Sequence, residues 1–364
     1  MRKSGIARLG NGPQASPSNF RLSRIKSFLK KIFHDWSVQH TVDWFESNGV
    51  PLKTEGDGRM FPESDSSETI AQLLEWKAKK LGVGLRTNAS VVTIVKLPSE
   101  GAYRWQINFN TGSSEMATDV VLAVGGFSKE SQYNIISHLG VAIVPPVPSL
   151  FTFNIPDATL HALHGVSVQD AKVKLVGYPE SYTGPLLVTH WGLSGPAVLK
   201  TSAWAARWMN EKAYCTTALV SWLNLSEDGM REMLRDVLAT NPKKRIDNLT
   251  LEGIPRRLWD YILKRAETPL TKMAADLSKF EFNKLIENLC RMPFDTDGRT
   301  MFKEEFVTAG GIDLEQVNPK TMEIKQVPGL YATGEVLDID GVTGGFNFQA
   351  AWATAATAAN ALAN

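Results

Sequence analysis

The chain has 364 residues, with 39 Lys and Arg against 38 Asp and Glu, and only two cysteines, Cys215 and Cys290. At roughly 150 residues per domain the length suggests about two to three domains, and 43% apolar with 21% charged residues is the composition of a globular protein. These values exclude a disordered chain, a collagen-like repeat, a disulfide framework, a Cys-rich zinc site and a nucleic-acid binder driven by net charge.

The cysteine usage fits a reducing cytoplasm, and no apolar run of about 18 residues predicts a membrane span. The near-zero charge hides one asymmetry. Arg2, Lys3, Arg8, Arg21, Arg24, Lys26, Lys30 and Lys31 all precede the first acid, Asp35. Acid-free, Arg- and Ser-rich starts resemble organelle transit peptides. The competing and favoured reading is a surface helix. Leu22, Ile25, Phe28, Leu29, Ile32, Phe33 and Trp36 recur at helical spacing from Arg21 to Trp36, which buries one stripe and leaves the basic residues in water.

In chain order, residues 1–19 read as loop, because Gly, Ser, Pro and Asn dominate without periodicity. After the first helix, Thr41 to Ser47 has a short helical pattern ended by Asn48-Gly49. Asp57-Gly-Arg-Met-Phe-Pro reads as strand and turn. Glu68 to Leu81 is amphipathic, with Ser64 or Ser66 as cap and Gly82 past its end. Val83 to Lys96 is strand-like, and Tyr103 to Asn110 alternates as a hairpin partner. Thr118 to Gly126 is a short apolar run ending in paired glycines, the pattern of a buried parallel strand.

Pro145, Pro146 and Pro148 predict a stiff extended connection and a first boundary. Short strands are expected from Leu150 to Leu225. Helices with polar faces follow from Ser226, a possible N-cap, to about Met292. Thr300 to Ala309 is strand-like, Gly329 to Glu335 is strand into glycine, and an Ala-rich helix follows Gly344. No internal repeat is present.

Two glycine turns carry the chemistry. Leu122-Ala123-Val124-Gly125-Gly126 ends one apolar strand, and Gly329-Leu-Tyr-Ala-Thr-Gly334-Glu335 ends another. A strand closing on glycine lets backbone approach a ligand, and an acid after it can accept from a sugar hydroxyl. Each alone is weak and is more often a plain turn. Together with Gly341, Gly344 and Gly345 before a helix they look like two walls of one cofactor cleft, where helix N–H groups favour partial negative charge.

The run from Pro328 through Gly-Leu-Tyr-Ala-Thr-Gly-Glu-Val-Leu-Asp-Ile-Asp-Gly-Val-Thr-Gly-Gly-Phe-Asn-Phe to Gln349 resembles the C-terminal signature of the BaiN/RdsA-type bacterial FAD-dependent flavoproteins. Leu187-Val-Thr-His-Trp-Gly-Leu-Ser-Gly-Pro-Ala, Thr308-Ala-Gly-Gly-Ile, Asn318-Pro-Lys-Thr-Met-Glu and Asp57-Gly-Arg-Met-Phe-Pro are similar to further motifs of that family. The likeness runs from about residue 20 to the C-terminus. That family includes aminoacetone oxidases and enzymes proposed to reduce bile-acid intermediates.

The resemblance implies an α/β class, a two-dinucleotide-binding FAD fold with an inserted β-barrel and a small helical domain. On it, residues 1–145 form the first part of the FAD-binding domain. Residues 146–225 and 300–325 form the barrel insert, 226–299 the helical insert, and 326–364 the C-terminal part of the FAD-binding domain. It carries over Val91 as a backbone contact to adenine, and Ala123, Val124, Gly125 and Gly126 as the strand passing adenosine and pyrophosphate. Gly334 and Glu335 fall beside the ribityl chain, and Gly344, Gly345, Phe346 and Asn347 face the isoalloxazine.

The opening hydrophobic strand, Gly-x-Gly-x-x-Gly turn and ribose-binding acid of that family have no counterpart here. Gly10, Asn11 and Gly12 follow no predicted strand and open no βαβ unit. The chain therefore reads as a member truncated at its N-terminal dinucleotide-binding unit.

The expected function is an FAD-dependent oxidoreductase, with NAD(P)H as a plausible electron donor, moving a hydride to or from a small organic substrate. The alternative is a truncated, non-catalytic remnant with weak or no FAD binding. A third class, an organelle-targeted or nucleic-acid-associated protein using the basic start, is the least supported. The expected setting is cytoplasmic, without nucleic-acid or membrane partners. His190 is the candidate catalytic acid or base, although such a residue is more often merely packed. His161 and His164 lack a third ligand, so no metal is expected. Cys215 and Cys290 read as ordinary buried residues, Trp204 and Trp208 as core, and Arg59 as a surface ion-pair partner.

Overall fold

The structure, a computed structural model, describes residues 23–56, 58–98, 102–298 and 307–363. The loop expected over residues 1–19, Asp57 and most of the strand expected over 300–309 fall outside the described residues. The chain divides into two compact units, Met1–Pro148 with Val307–Asn364, and Ser149–Phe306.

The first unit opens with α1 (Ser23–Asp35) and α2 (Val38–Ser47). Ile25, Leu29 and Ile32 are fully buried and Lys30 and Lys31 exposed, so these two lysines of the basic start lie on the solvated face of a packed helix. Ser37 caps α2 by accepting from the His40 N–H. The hairpin β1 (Leu52–Thr54) and β2 (Met60–Pro62) leads to α3 (Ser67–Lys80), capped by Ser66. The strands β3 (Val91–Lys96), β4 (Trp105–Phe109) and β5 (Ser114–Ala117) form an antiparallel sheet in that order. After β6 (Val120–Leu122) come the short α4 (Asn134–Ser137) and β7 (Ile143–Ser149).

The three prolines predicted to form a stiff connection lie inside β7. A proline has no N–H for a ladder and is held to strands with a free edge. That condition is met, because β7 belongs to a two-stranded sheet.

The second unit is built on one antiparallel sheet. In chain order its elements are β8 (Phe153–Asn154), α5 (Ala158–His161), β9 (Ser167–Leu175), β10 (Ser181–Val188), β11 (Gly192–Ser194), α6 (Pro196–Trp204), α7 (Ala206–Glu211), β12 (Thr216–Ser221), α8 (Glu227–Thr240), α9 (Arg256–Arg265), α10 (Lys279–Arg291) and β13 (Met292–Thr296). The sheet order is β13-β12-β9-β10-β11-β8. Val168, Ala171, Val173 and Leu175 of β9 face one contiguous core that also takes in Trp222, Leu234, Leu258 and Trp259.

The helical run after Ser226 forms as its pattern predicts, with Ser226 capping α8 by accepting from the Gly229 N–H at 3.1 Å. Helices α6 and α7 interrupt a stretch expected to be strands. Pro196 at the first helical position is the signal, since its fixed φ suits a helix start and its missing N–H costs nothing there.

The chain then returns to the first unit with β14 (Val307–Ile312), β15 (Leu330–Ala332) and α11 (Gly344–Ala363). Strand β14 pairs with β7, and β15 runs parallel to β6. The class is α/β. Among the described residues no helix is long and apolar enough to cross a membrane.

Candidate functional site

The site is built where β6 and β15 end. Their parallel register sets Val120 against Leu330, Val121 against Tyr331 and Leu122 against Ala332. The Thr333 N–H donates to the Leu122 carbonyl at 2.9 Å, extending the pairing beyond the last strand residue. The two glycine turns singled out by sequence therefore leave the same end of the same sheet. In open α/β sheets that carboxyl end is where ligands bind.

Glu335 joins the turns. Its Oε1 accepts from the Thr308 N–H at 2.7 Å, and the Gly126 N–H also reaches the carboxylate. Burial raises the Glu335 carboxyl above the usual carboxylate range, and the two backbone donors act in the opposite direction. A Cβ on residue 126 would sit 2.5 Å from Glu335 Oε1 and 2.6 Å from Thr308 Oγ1, so only glycine lets the backbone come this close. The motif Thr308-Ala-Gly-Gly-Ile is tight for the same reason. At Gly310 the φ is +117° and a Cβ would meet the Pro145 carbonyl at 2.5 Å.

Helix α11 is fastened to this end of the sheet. Thr354 Oγ1 accepts from the Gly334 N–H at 3.0 Å while donating to the Ala350 carbonyl. At the start of α11, Asn347 Oδ1 accepts from the Gly341 N–H at 2.8 Å, and its Nδ2 donates to the Gly341 and Thr343 carbonyls. Asn347 thus folds the Gly-Val-Thr turn back onto the helix, and Phe346 is buried beside it. Asp338 and Asp340 are buried on the segment between β15 and α11.

Comparison with known proteins bears on this arrangement. The family described as HI0933-like protein Rossmann domain matches residues 3–361. This chain belongs to that family. It is the BaiN/RdsA-type group that the C-terminal run from Pro328 implies.

Named relatives of this family member are moderately similar. The ribosomal RNA dihydrouridine synthase of Haemophilus influenzae is 27% identical over 350 residues, covering 94% of this chain and 84% of the relative. The enzyme of the same name from Escherichia coli is 27% identical, with 92% and 81% covered. The 3-dehydro-bile acid delta(4,6)-reductase of Clostridium scindens is 27% identical, with 92% and 83% covered.

Among solved structures, the open form of a flavocytochrome c3 fumarate reductase aligns at TM-score 0.42 and 15% identity, covering 99% of this chain and 70% of that one. The 3-ketosteroid-delta4-(5alpha)-dehydrogenase of Rhodococcus jostii aligns at TM-score 0.44 and 14% identity, covering 99% and 87%.

In this family member Ala123 to Gly126, Gly334 and Glu335 come together. Val91 instead begins β3, in the separate antiparallel sheet, opposite Phe109. His190 lies in the second unit, exposed on the turn between β10 and β11, with its ring stacked on His164 at a centroid distance of 4.1 Å. Cys215 is exposed rather than buried, and Cys290 is half-buried. Arg59 pairs with Glu55 at 2.9 Å on the surface.

Sequence reasoning passed over two residues. Thr354 is a hydroxyl set in a row of alanines, and that isolation is its signal. Tyr133 gives no signal in the sequence. Its phenol is pushed up to about 12 by burial, then by the negative Glu335 and Asp338, against an opposing contribution from the Phe127 N–H. Its hydroxyl makes no hydrogen bond of good geometry among the described residues.

Proposed function

We propose that this chain is an FAD-dependent oxidoreductase that moves a hydride equivalent to or from a small organic substrate, with NAD(P)H as electron donor. The observation carrying this reading is the shared carboxyl end of β6 and β15. There Gly126 brings its backbone against Glu335, and the Glu335 carboxylate offers acceptor oxygens. A carboxylate has about four lone-pair sites, so Glu335 can accept from a cofactor hydroxyl while keeping Thr308 and Gly126.

The residues fit the middle of such a cofactor. Ala123 to Gly126 and Gly334 would flank its sugar-like chain, and the N–H groups of Gly344 and Gly345 would face its ring carbonyls, with Phe346, whose own N–H donates to the Thr343 carbonyl, beside them. Val91 is a separate candidate contact, for adenine. A bound flavin supplies the two-electron chemistry itself, leaving the protein to bind, orient and tune. Asn347 would fix the turn against the ring. Glu335 and the buried Asp338 set a negative field beside it.

The names of the relatives share one feature, saturation of a ring C=C bond. That feature points to a conjugated ring alkene as substrate class, one carbon taking hydride and its neighbour a proton. His190 is the candidate acid for that proton. Residues 1–145 and 326–364 would hold the cofactor, with the other segments as inserts, in a cytoplasmic protein.

A second reading, a remnant that binds flavin weakly or not at all, is favoured by one observation. Val121 and Val124, at the core of the proposed cleft, are 42% and 49% exposed. The spectrum of the purified protein separates the two. Flavin absorbance, with FAD released on denaturation and bleaching by NAD(P)H without air, is the expected result. A colourless protein that gains no flavin signal on titration with FAD establishes the remnant.

A further inference from the structure

We infer that the end of α3 and the segment after it form a surface that seats on the anionic face of a lipid bilayer. Local geometry sets its shape. Helix α3 closes on Gly82, whose φ is +75°. The Gly82 and Val83 N–H groups donate back to the Lys79 and Ala78 carbonyls at 3.1 and 2.9 Å. Such a pair of bonds turns the chain out of a helix at a left-handed residue. Residues 83–90 then form neither helix nor strand. Only Leu73 of α3 is buried, in a cluster with Phe45 and Val50.

What this arrangement leaves outside is apolar. Trp76 is 53% exposed, Leu81 75%, and Val83 and Leu85 53% each. Apolar residues so concentrated on a surface mark a place where something else docks.

Cations surround them. Lys77, Lys79 and Lys80 fill the last turn of α3, and Arg86 follows Leu85. Lys79 pairs with Glu75 at 2.8 Å and Arg86 with Glu115 at 2.5 Å. Among the described residues Lys77 and Lys80 have no ion-pair partner. Each ammonium instead lies over an indole, Lys80 over Trp76 at 4.7 Å and Lys77 over Trp44 at 5.4 Å. Tryptophan settles where headgroups meet acyl chains, and lysine lays its stem along apolar surface while its charge reaches outward.

The charge decides what covers the patch. A second copy meeting it about a two-fold axis would set the same patch face to face, with Lys77 and Lys80 of one copy toward those of the other. A neutral apolar partner would leave both ammonium groups without a counter-charge. An anionic bilayer suits both parts, since its acyl boundary takes the aliphatic side chains and its phosphates meet the ammonium groups. The lack of a long apolar run excludes a spanning helix. A surface contact needs no such run, so it replaces the expectation of no membrane partner. It uses none of the residues placed at the flavin site and is independent of that reading.

The test is cosedimentation of the full-length protein with sucrose-loaded vesicles, of phosphatidylcholine alone or of equimolar phosphatidylcholine and phosphatidylglycerol. Two lysines near an anionic surface contribute about fivefold each, so the mixed vesicles should be bound roughly 25-fold more tightly than the neutral ones. Raising the salt should shrink that margin as the Debye length shortens. K77Q/K80Q should lose the margin and keep the weak binding to neutral vesicles. L81S/L85S, at two exposed positions, should bind both kinds of vesicle at least about tenfold more weakly. L225S, which removes an exposed leucine from the second unit, should bind as the parent does. Circular dichroism and melting temperature, unchanged in all three variants, confirm that the fold is kept.

Three results overturn the inference: no sedimentation with the mixed vesicles, equal binding to neutral and mixed vesicles, or equal binding by L81S/L85S. A lipid-free dimer in analytical ultracentrifugation that L81S/L85S converts to monomer would assign the patch to a second copy and overturn the lipid reading. Release from the mixed vesicles by poly-glutamate at equal charge concentration would assign it to an acidic protein, with the same consequence.

Discussion

The two units of this protein bury their hydrophobic residues very differently. The second has a single broad sheet under its helices, and Trp222 and Trp259 are no more than 1% exposed. Its large apolar residues at the surface are Val176, Leu187, Leu225 and Phe280. In the first unit the strands are divided among sheets of two or three, and a parallel pair of three-residue strands stands at the centre of the candidate site. Exposed aliphatics crowd between Leu74 and Val124, with Leu81 at 75% and Val83 and Leu85 at 53%. Parallel sheets are normally covered on both faces. The contrast shows that the second unit covers nearly all of its large apolar residues, while the first leaves many exposed, Val121 and Val124 at the end of β6 among them.

The largest effect expected from breaking this contrast is in the second unit. Trp259→Ala removes a buried indole and its hydrogen bond from Nε1 to the Ile246 carbonyl at 2.8 Å. It should cost about 3–5 kcal/mol, seen in calorimetry as a large fall in one melting transition while the other stays put. A single transition moving as a whole would mean the units unfold together.

Gly126→Val should come next, at about 1–3 kcal/mol because overpacking forces neighbours aside. Its clash falls on Glu335 and Thr308, so flavin content should fall further than the melting temperature indicates. Unchanged flavin content would separate Gly126 from the cofactor.

Glu335→Gln should have a smaller, pH-dependent effect. The Glu335 carboxyl titrates higher in the fold than its ordinary value of 4.5. The folded state therefore holds a proton that the unfolded state has lost, and stability declines as pH rises from 4.5 through the raised value. The glutamine variant lacks that decline, so its thermal stability, compared with the parent across this interval, should gain as pH increases. Parallel curves would refute it.

The smallest effect is Val121→Thr. Despite its central place in the β6–β15 pair, this half-exposed valine should change stability by no more than about 0.5 kcal/mol. A loss above about 1.5 kcal/mol in chemical denaturation would show that its side chain is covered in solution.

Much of this was legible before the fold. Helix α1 followed from apolar spacing, α8 from the cap at Ser226, and the two glycine turns from short apolar runs ending in glycine. The long C-terminal run implied the family from residue types alone. What stayed hidden depends on contacts between residues far apart in sequence. Nothing local to Val91 reveals that β3 joins an antiparallel sheet apart from β6 and β15. Nothing local to Tyr133 reveals the carboxylates of Glu335 and Asp338. Arg235 is one more charge on a polar helix face until Phe282, from another helix, is brought beneath it.

Periodicity, capping residues and turn glycines are short-range properties, and they determined by themselves where helices begin, where strands end and which turns can approach a ligand. Pairing and burial are set by the chain's return on itself. Only the tertiary structure decided that the Gly126 and Thr308 N–H groups both meet the Glu335 carboxylate, and that a nearly neutral chain gathers Arg231, Arg235 and Lys279 around one groove.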